Sequence, residues 1–167
     1  QRQIALAAAE PAVSSVFIDV NDVLKGETAS ALMRITQALK AGRHCIVHTC
    51  PDHEARHQVE RLCAQYQMTR TELGETICAF LGEITREALT ACPPDALYVS
   101  GGDVAMAVAS ALDAQGFEIT GRVAGCVPYG KFLGCAWHQP VMTKAGGFGK
   151  EETLLEVLHF IEERLSD

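Results

Sequence analysis

Two glycine-rich segments of this sequence have the composition of loops that bind anions. Residues 98–104 and residues 143–149 each predict a strand that passes through paired glycines into a helix. The paired glycines are Gly101 and Gly102 in the first segment and Gly146 and Gly147 in the second. Glycine lets backbone N–H groups approach a ligand closely, and the first turn of a helix leaves its N–H groups unpaired. The two segments together favour an anion or nucleotide site, whereas either one alone is more often an ordinary turn.

Two charged side chains lie beside these glycines. Lys144 can add a positive charge next to a bound anion, and Asp103 follows the first glycine pair directly. A carboxylate at that position can cap its own helix, or it can accept hydrogen bonds from a ribose or a metal-bound water. The sequence therefore predicts an anion site in which backbone groups and a few local cations make the contacts.

A third glycine-containing segment, residues 125–132, imitates a P-loop but lacks its last required position. Phe132 stands where that loop needs a serine or threonine to bind magnesium. The residues that follow, 133–137, predict a strand and not the helix that a P-loop requires. We therefore reject a P-loop and interpret residues 127–130 as a rigid loop that can line a base or ribose pocket.

Histidines and acidic residues give no convincing metal site. Four histidines lie close together in the sequence, namely His44, His48, His53 and His57. The last two can share one face of a predicted helix, but they lack the glutamate of the H-E-x-x-H zinc motif. Asp19 and Asp22 end a predicted strand, where magnesium binding and a simple Asx turn are equally good explanations. No metal-ligating set and no catalytic residue is predicted.

Length and composition narrow the possible functions. The chain has 167 residues, of which 48% are hydrophobic, so it is long enough for one domain with its own core. Its 21 acidic against 14 basic residues give a net charge of −7, which argues against binding to nucleic acid or to an anionic membrane. No apolar stretch approaches the ~18 residues that a membrane-spanning helix needs.

The cysteines indicate the cellular compartment of the protein, and the first residues indicate whether the chain is part of a longer one. None of the seven cysteines is spaced C-x-x-C, so zinc and thioredoxin-like sites lack their usual signature. Scattered thiols suit a reducing cytoplasm, where we expect this protein to be located. The sequence opens at Gln1 within a predicted helix, residues 1–9, with no capping residue before it. This favours a piece of a longer protein.

Hydrophobic periodicity and turn residues define the elements that must position these groups. Strands are predicted at residues 15–20, 45–48, 95–100, 117–123, 133–137 and 141–144. Helices are predicted at residues 27–41, 52–67, 74–90, 103–115 and 154–165. Strands that alternate with helices indicate an α/β layered fold, with a mainly parallel, mixed sheet flanked by helices. In such folds ligands bind at the carboxyl ends of strands, where both glycine-rich segments are predicted to lie.

Three segments, taken in order, resemble one known family. Residues 100–105, 121–130 and 143–149 are similar to its patterns T/S-G-G-D/E-T-A, G-E-x-x-P-G-V-P-x-G and T-K-S-G-G/N-F-G. The family is that of the four-carbon acid sugar kinases, and the resemblance is to their nucleotide-binding C-terminal domain. It covers nearly the whole chain. Residues 1–167 are therefore expected to form a single nucleotide-binding domain, the C-terminal part of a longer two-domain kinase.

The resemblance implies that ATP, with Mg²⁺, phosphorylates a hydroxyl of a four-carbon sugar acid, a tetronate or 3-oxo-tetronate of the threonate or erythronate type. A separate N-terminal domain would hold this small-molecule substrate, so the isolated chain is expected to be inactive and the general base to lie outside it. Position by position, the implied nucleotide-binding residues are Gly101, Gly102, Asp103, Val104, Gly146 and Gly147. Phosphoryl transfer depends mainly on positioning and charge stabilisation, which glycine-loop amides and magnesium can supply.

Several positions depart from the family pattern and keep a second hypothesis open. Val104 replaces the usual threonine, and Arg122 replaces the usual glutamate, which inverts a charge near the loop. The alternative is a diverged, non-catalytic module that binds a nucleotide or another anion, or that serves as an interaction domain. The apolar opening helix would need cover from another domain or a second copy, so a homo-oligomer is compatible with either hypothesis.

Overall fold

The computed structural model describes residues 11–49, 55–123, 127–144 and 153–165, over most of which strands and helices alternate. The strands are β1 (Val13–Phe17), β2 (His44–His48), β3 (Leu97–Ser100), β4 (Gly116–Val123), β5 (Val127–Leu133) and β6 (Val141–Lys144). The helices are α1 (Val20–Lys25), α2 (Ala29–Lys40), α3 (Ala55–Tyr66), α4 (Arg70–Ala91), α5 (Gly102–Ala111) and α6 (Thr153–Leu165). The predicted α/β class is therefore confirmed.

The described strands form two sheets. β1 and β2 pair in parallel, and the second sheet has the strand order β3–β6–β5–β4. In that sheet β3 and β6 are parallel, whereas β5 runs antiparallel to both β6 and β4. The mixed sheet is confirmed, but parallel pairings do not predominate among these strands. The connections that flank β5 are short, and a parallel pair would need a longer crossover.

β3 and β6 bring together the two strand ends where a ligand is expected. They are parallel neighbours with Ser100 opposite Lys144, so their carboxyl ends meet at one edge of the sheet. The chain passes from β3 directly into α5, and α5 packs back over the sheet with Val108 in the same buried cluster as Val141 of β6. This places the first glycine-rich segment at the corner between sheet and helix.

The first strand is shorter than predicted, because the residues after it begin a helix. β1 ends at Phe17, and Val20 is the first residue of α1. The Asp19 carboxylate accepts a hydrogen bond from the backbone N–H of Asn21 at 2.8 Å and caps this helix. For this acidic segment the structure supports the Asx-turn explanation.

Two helix boundaries also differ from the prediction. α4 begins at Arg70, four residues earlier than predicted, because Thr69 and Glu72 form a capping box at its start. In that box the Thr69 hydroxyl accepts from the N–H of Glu72 at 3.1 Å. α5 ends at Ala111 and not at residue 115, and Gly116 is the first residue of β4.

The segment around β5 contradicts two predictions. Residues 127–130 belong to a strand and are not a rigid loop, and the strand predicted at 133–137 is instead Val127–Leu133. Pro128 and Gly130 indicated a loop in the sequence, since both residues are rare inside strands. The absence of a side chain at Gly130 is in fact what lets β5 approach β4.

The other predicted strands and helices agree with the structure to within a few residues. The predicted opening helix at residues 1–9 and the glycine turn at 146–149 lie outside the described residues. Across the described part of the chain, no helix is both long enough and apolar enough to cross a membrane. The cysteines described there are free thiols, namely Cys45, Cys63, Cys78, Cys92 and Cys135.

α4 and α5 pack against each other at short range, which fixes the position of α5. Gly82 of α4 is buried, and a Cβ added to it would lie 2.7 Å from the carbonyl oxygen of Ala107 in α5. The same Cβ would lie 3.4 Å from the Cβ of Ala111. Because interiors are close-packed, only a residue without a side chain leaves the two helices this close.

Replacement of Gly82 by alanine is expected to lower the free energy of unfolding by about 1–3 kcal/mol, because the new methyl group forces the two helices apart. Gly74→Ala in the same helix is the matched control. A Cβ at Gly74 would meet no atom within 4 Å, so alanine there is expected to stabilise the protein by about 0.5–1 kcal/mol through its helix propensity. Urea denaturation measures both changes, and equal effects would contradict the close packing of α4 on α5.

Candidate functional site

The carboxyl ends of β3 and β6 form a corner with the first turn of α5. Gly101 directly follows β3, and its backbone N–H donates a hydrogen bond to the carbonyl oxygen of Lys144 at 2.7 Å. The carbonyl oxygen of Gly101 accepts the first hydrogen bond of the helix, from the N–H of Ala105 at 3.0 Å. Gly101 therefore joins the start of α5 to the end of β6.

The backbone conformation of Gly101 starts α5 in a way that leaves the N–H groups of the first turn unpaired. Its φ of 101° and ψ of 134° lie in a region that residues with a Cβ rarely adopt. No described side chain makes a capping hydrogen bond to the helix. The N–H groups of Gly102, Asp103 and Val104 have no acceptor within the helix, since the first turn has no preceding carbonyls. Such donors, at the positive end of a helix dipole, are those that bind anions.

The surface beside these donors is open. Gly102 is exposed, and a Cβ built on it would meet no atom within 4 Å. Asp103 is exposed as well and lies in the first turn of α5. Burial, and secondarily the negative charge of Asp103, raise the pKa of the Cys78 thiol in α4. A ligand can therefore reach the first turn from solvent with one carboxylate beside it.

Val104 contributes to the core with its side chain and to the site with its backbone. It is half-buried and packs against the cluster that contains Val108 and Val141. The valine at this position removes the hydroxyl that the family pattern has, but it leaves the backbone donor in place.

The last two residues of β6 lie on opposite faces of the sheet, because side chains alternate along a strand. Thr143 shares the face of Val141, which packs beneath α5. Its half-buried side chain thus places a hydroxyl at the corner, where it lines the same cavity as Gly101. Lys144 is only 4% exposed, which is unusual for a lysine. Its role as a positive charge beside an anion stays a prediction.

A groove of about 470 Å³, which we call the α5 groove, runs from this corner along α5. It is lined by Gly101, Gly102, Ala105, Met106, Ala109, Ala114, Gln115, Gly116, Phe117, Phe132, Thr143 and Lys144. Hydrogen-bond donors lie at the corner, whereas alanine, methionine and phenylalanine side chains line most of the remaining length. Its volume is that of a typical small-molecule site, and apolar walls with a few polar groups are typical of such sites.

A second cavity, of about 330 Å³, lies between the start of α2 and α4. The carboxylates of Glu83 and Glu87 line it, together with apolar side chains that include Phe80. Arg86 lies 2.9 Å from Glu83 and 4.0 Å from Glu87, so one positive charge faces two carboxylates, and the net negative charge disfavours an anionic ligand. The α5 groove is therefore the better candidate for a ligand that carries negative charge.

The structure places four of the six predicted site residues together in one turn, namely Gly101, Gly102, Asp103 and Val104. Gly146 and Gly147 lie outside the described residues. Thr143 and the apolar lining at Met106, Phe117 and Phe132 were not among the predicted site residues. One signal was available: residues 104–109 carry no charge at all, so the exposed side of α5 had to be apolar as well as its buried side.

The histidines and the P-loop-like segment form no second candidate site in the described part of the chain. Within the described ranges, no group of three or more histidine, cysteine, aspartate or glutamate side chains is placed to hold a metal ion. His44 hydrogen-bonds to the Glu162 carboxylate at 2.8 Å, and His48 hydrogen-bonds to the Ser15 hydroxyl at 2.9 Å. Phe132 lies in a strand and not at the start of a helix, which supports the rejection of a P-loop.

Comparison with known proteins gives matches over almost the whole chain. Residues 1–154 match the family model described as a nucleotide-binding C-terminal domain. The D-threonate kinase of Salmonella typhimurium is 37% identical over 168 residues, which cover 98% of this chain and 40% of that protein. The D-erythronate kinase of Heliobacterium modesticaldum is 32% identical over 105 residues, or 61% of this chain and 24% of that protein. The chain thus spans less than half the length of these relatives.

A solved structure has the same fold. It is a domain of unknown function from Bordetella bronchiseptica, a domain-swapped dimer with bound citrate. Its TM-score against this chain is 0.70 at 24% identity, over 97% of this chain and 38% of that one. At this identity the likeness supports the mixed α/β architecture.

Proposed function

The chain belongs to the family of nucleotide-binding C-terminal domains, and we propose that it is the ATP-binding domain of a kinase for four-carbon sugar acids. In this proposal the γ-phosphoryl group of ATP passes to a hydroxyl of a tetronate or 3-oxo-tetronate. The substrate class follows from relatives that are named D-threonate kinase and D-erythronate kinase. Because the chain spans only part of those proteins, we assign the acid and the general base to another domain of the complete enzyme.

The observation that carries this proposal is the two-part character of the α5 groove. One end presents backbone N–H donors at a helix N-terminus, and the rest is lined mainly by apolar side chains. A nucleotide has the same division, with charged phosphates at one end and a flat base at the other. An anion without an apolar part would contact only the corner and leave the apolar walls of the groove empty.

The phosphates are assigned to the corner. The N–H groups of Gly102, Asp103 and Val104 can donate to phosphate oxygens, and the dipole of α5 favours negative charge there. The Thr143 hydroxyl can add a further hydrogen bond from the neighbouring strand. Phosphoryl transfer requires little beyond such positioning and charge stabilisation, so a site made mostly of backbone groups is chemically sufficient for the nucleotide.

The donor set also fits a magnesium ion that arrives with the nucleotide. Mg²⁺ commonly uses one or two carboxylates together with substrate phosphates, and Asp103 is an exposed carboxylate in the first turn of α5. Asp103 is thus the residue that would hold the ion, directly or through water. When bound, the ion would neutralise part of the phosphate charge.

An assay of the complete gene product tests the activity. ATP-dependent phosphorylation of D-threonate, D-erythronate and their 3-oxo acids is measured, with hexoses as negative controls. Phosphorylation of at least one four-carbon acid and of no hexose supports the proposal. Nucleotide binding without transfer to any of these acids would favour the diverged, non-catalytic module, for which the missing hydroxyl at Val104 is the structural argument.

Replacement of Thr143 by valine is expected to weaken ADP binding to this chain about tenfold, because a hydrogen bond to a charged phosphate is lost. Valine has nearly the same shape, so the fold should be unchanged. Thr143→Ser keeps the hydroxyl and is the control, which should retain most of the affinity. Calorimetric titration with ADP and Mg²⁺ measures both variants. Equal affinity of Thr143→Val and the parent chain would exclude a contact from this hydroxyl.

A further inference from the structure

We infer that the apolar end of the α5 groove is the base subsite and that Gln115 makes it selective for adenine. This inference rests on the proposed function, which assigns the phosphates to the opposite end of the same groove. It adds a specificity-determining residue, which lies outside the glycine-rich segments.

The groove has the length that a nucleotide needs. Its helical wall includes Gly102, Ala105, Met106 and Ala109, which follow one another along a single side of α5. At 1.5 Å per residue, Gly102 and Ala109 are about 10 Å apart along the helix axis. That distance is comparable to the span of a ribose and two phosphates, so a base would lie beyond the middle of α5 when the phosphates occupy the corner.

The walls at that end suit a flat aromatic ring. Ala105, Ala109 and Ala114 have short side chains, which let a planar group come close to the backbone. On the sheet side, Phe117 and Phe132 form an edge-to-face pair with ring centroids 5.9 Å apart. Bases stack well on such apolar and aromatic surfaces.

Met106 lies at the rim of this surface with 73% of its area exposed. Within the described residues it is the most exposed large hydrophobic side chain. A flexible thioether adapts its shape to a ligand and makes favourable contacts with aromatic rings. A base held in the groove would therefore be covered by Met106 on its open side.

The backbone of Gln115 is anchored at the end of the groove. Its backbone N–H donates to the carbonyl oxygen of Leu133 at 2.8 Å. Its side chain fills the space beside Gly134, where an added Cβ would lie 2.9 Å from both the Cγ and the Cδ of Gln115. Gln115 is exposed and lines the groove, so its side-chain amide can reach a base bound at this end.

A glutamine amide at this position can distinguish adenine from guanine. The glutamine amide presents a donor and an acceptor side by side, and it pairs with the N6 and N7 edge of adenine. Guanine presents two acceptors, O6 and N7, at the same edge. Against guanine the carbonyl oxygen of Gln115 would face another acceptor, so adenine is the expected base.

Calorimetric titrations of this chain with Mg²⁺ and ADP, GDP, UDP or pyrophosphate test the inference. The parent chain is expected to bind ADP about tenfold more tightly than GDP and more tightly than UDP or pyrophosphate. Gln115→Met should reduce the preference for ADP over GDP to nearly one and leave pyrophosphate affinity unchanged. Met106→Gln should weaken ADP binding several-fold. Met33→Gln, at another exposed methionine outside the groove, should change none of these affinities.

The outcomes separate this inference from the proposed function. If ADP and pyrophosphate bind the parent chain equally, the groove has no base subsite, although the phosphate site stands. If Gln115→Met keeps the full preference for ADP over GDP, Gln115 does not select the base. If neither ADP nor pyrophosphate binds, the inference and the phosphate assignment are both wrong. The first two results overturn the inference alone.

Discussion

Gly101→Val is expected to weaken ADP binding by about 30-fold or more, because several hydrogen bonds to charged phosphates depend on this backbone. A valine cannot adopt the φ of 101° found at Gly101 without strain of about 1–3 kcal/mol. The chain would relax towards a conformation with negative φ and turn the N–H groups of Gly102, Asp103 and Val104 away from the corner. Calorimetric titration with ADP and Mg²⁺ measures the loss.

The control for this prediction is Gly42→Val. Gly42 also has a positive φ, of 74°, and a Cβ there would meet no atom within 4 Å. It lines neither the α5 groove nor the second cavity. Both variants should lose comparable stability, but only the variant at Gly101 should lose affinity. Equal losses of ADP affinity in the two variants would mean that general destabilisation, and not the corner, accounts for the effect.

Gly130→Ala is expected to lower the free energy of unfolding more than any of the other substitutions, by about 3 kcal/mol or more. The reason is that the new methyl group would collide with backbone atoms, which cannot move aside as a side chain can. Gly130 is buried in β5, and it is paired with Ile119 of β4 and with Val141 of β6. A Cβ added to it would overlap the carbonyl oxygen of Glu118. Neither neighbour can move away without breaking the ladder between β4 and β5.

A matched substitution in the neighbouring strand shows whether this loss is specific. A Cβ at Gly116 of β4 would approach only the side chain of Leu133, at 3.8 Å. Gly116→Ala should therefore change the free energy of unfolding by less than about 1 kcal/mol. Chemical denaturation followed by circular dichroism compares the two variants with the parent. A loss at position 130 no larger than the loss at position 116 would contradict the close approach of β4 and β5.

The corner at the start of α5 could be predicted because its residues are neighbours in the sequence, whereas its binding of phosphate stays a prediction. Gly101 to Val104 follow a strand directly, and a helix start after glycines has a recognisable composition. The resemblance to the C-terminal domain of four-carbon acid sugar kinases could be predicted because it depends on three local motifs in order, and it is confirmed by the family model and by the D-threonate kinase match. The Asx turn at Asp19 could also be named from the sequence, because it is a local structure, although magnesium binding was an equally good explanation there.

The apolar end could not be predicted, because tertiary packing creates it. Met106, Phe117 and Phe132 come from a helix and two strands, and no spacing in the sequence relates them. The wrong prediction of a loop at residues 127–130, where the structure has β5, also hid the sheet side of the groove. Pro128 and Gly130 are turn-forming residues by propensity, and only contact with β4 and β6 keeps them in a strand. Without β5, the position of Phe132 beside α5 could not be inferred.

The central claim is that a nucleotide lies along α5 with its phosphates at the corner. Titration of isotope-labelled chain with ADP and Mg²⁺, followed by two-dimensional NMR, tests it most directly. The largest shifts are expected at the backbone amides of Gly101, Gly102, Asp103 and Val104, together with the side-chain amide of Gln115. Unchanged signals for these residues, with shifts confined to the second cavity near Glu83, would contradict the account.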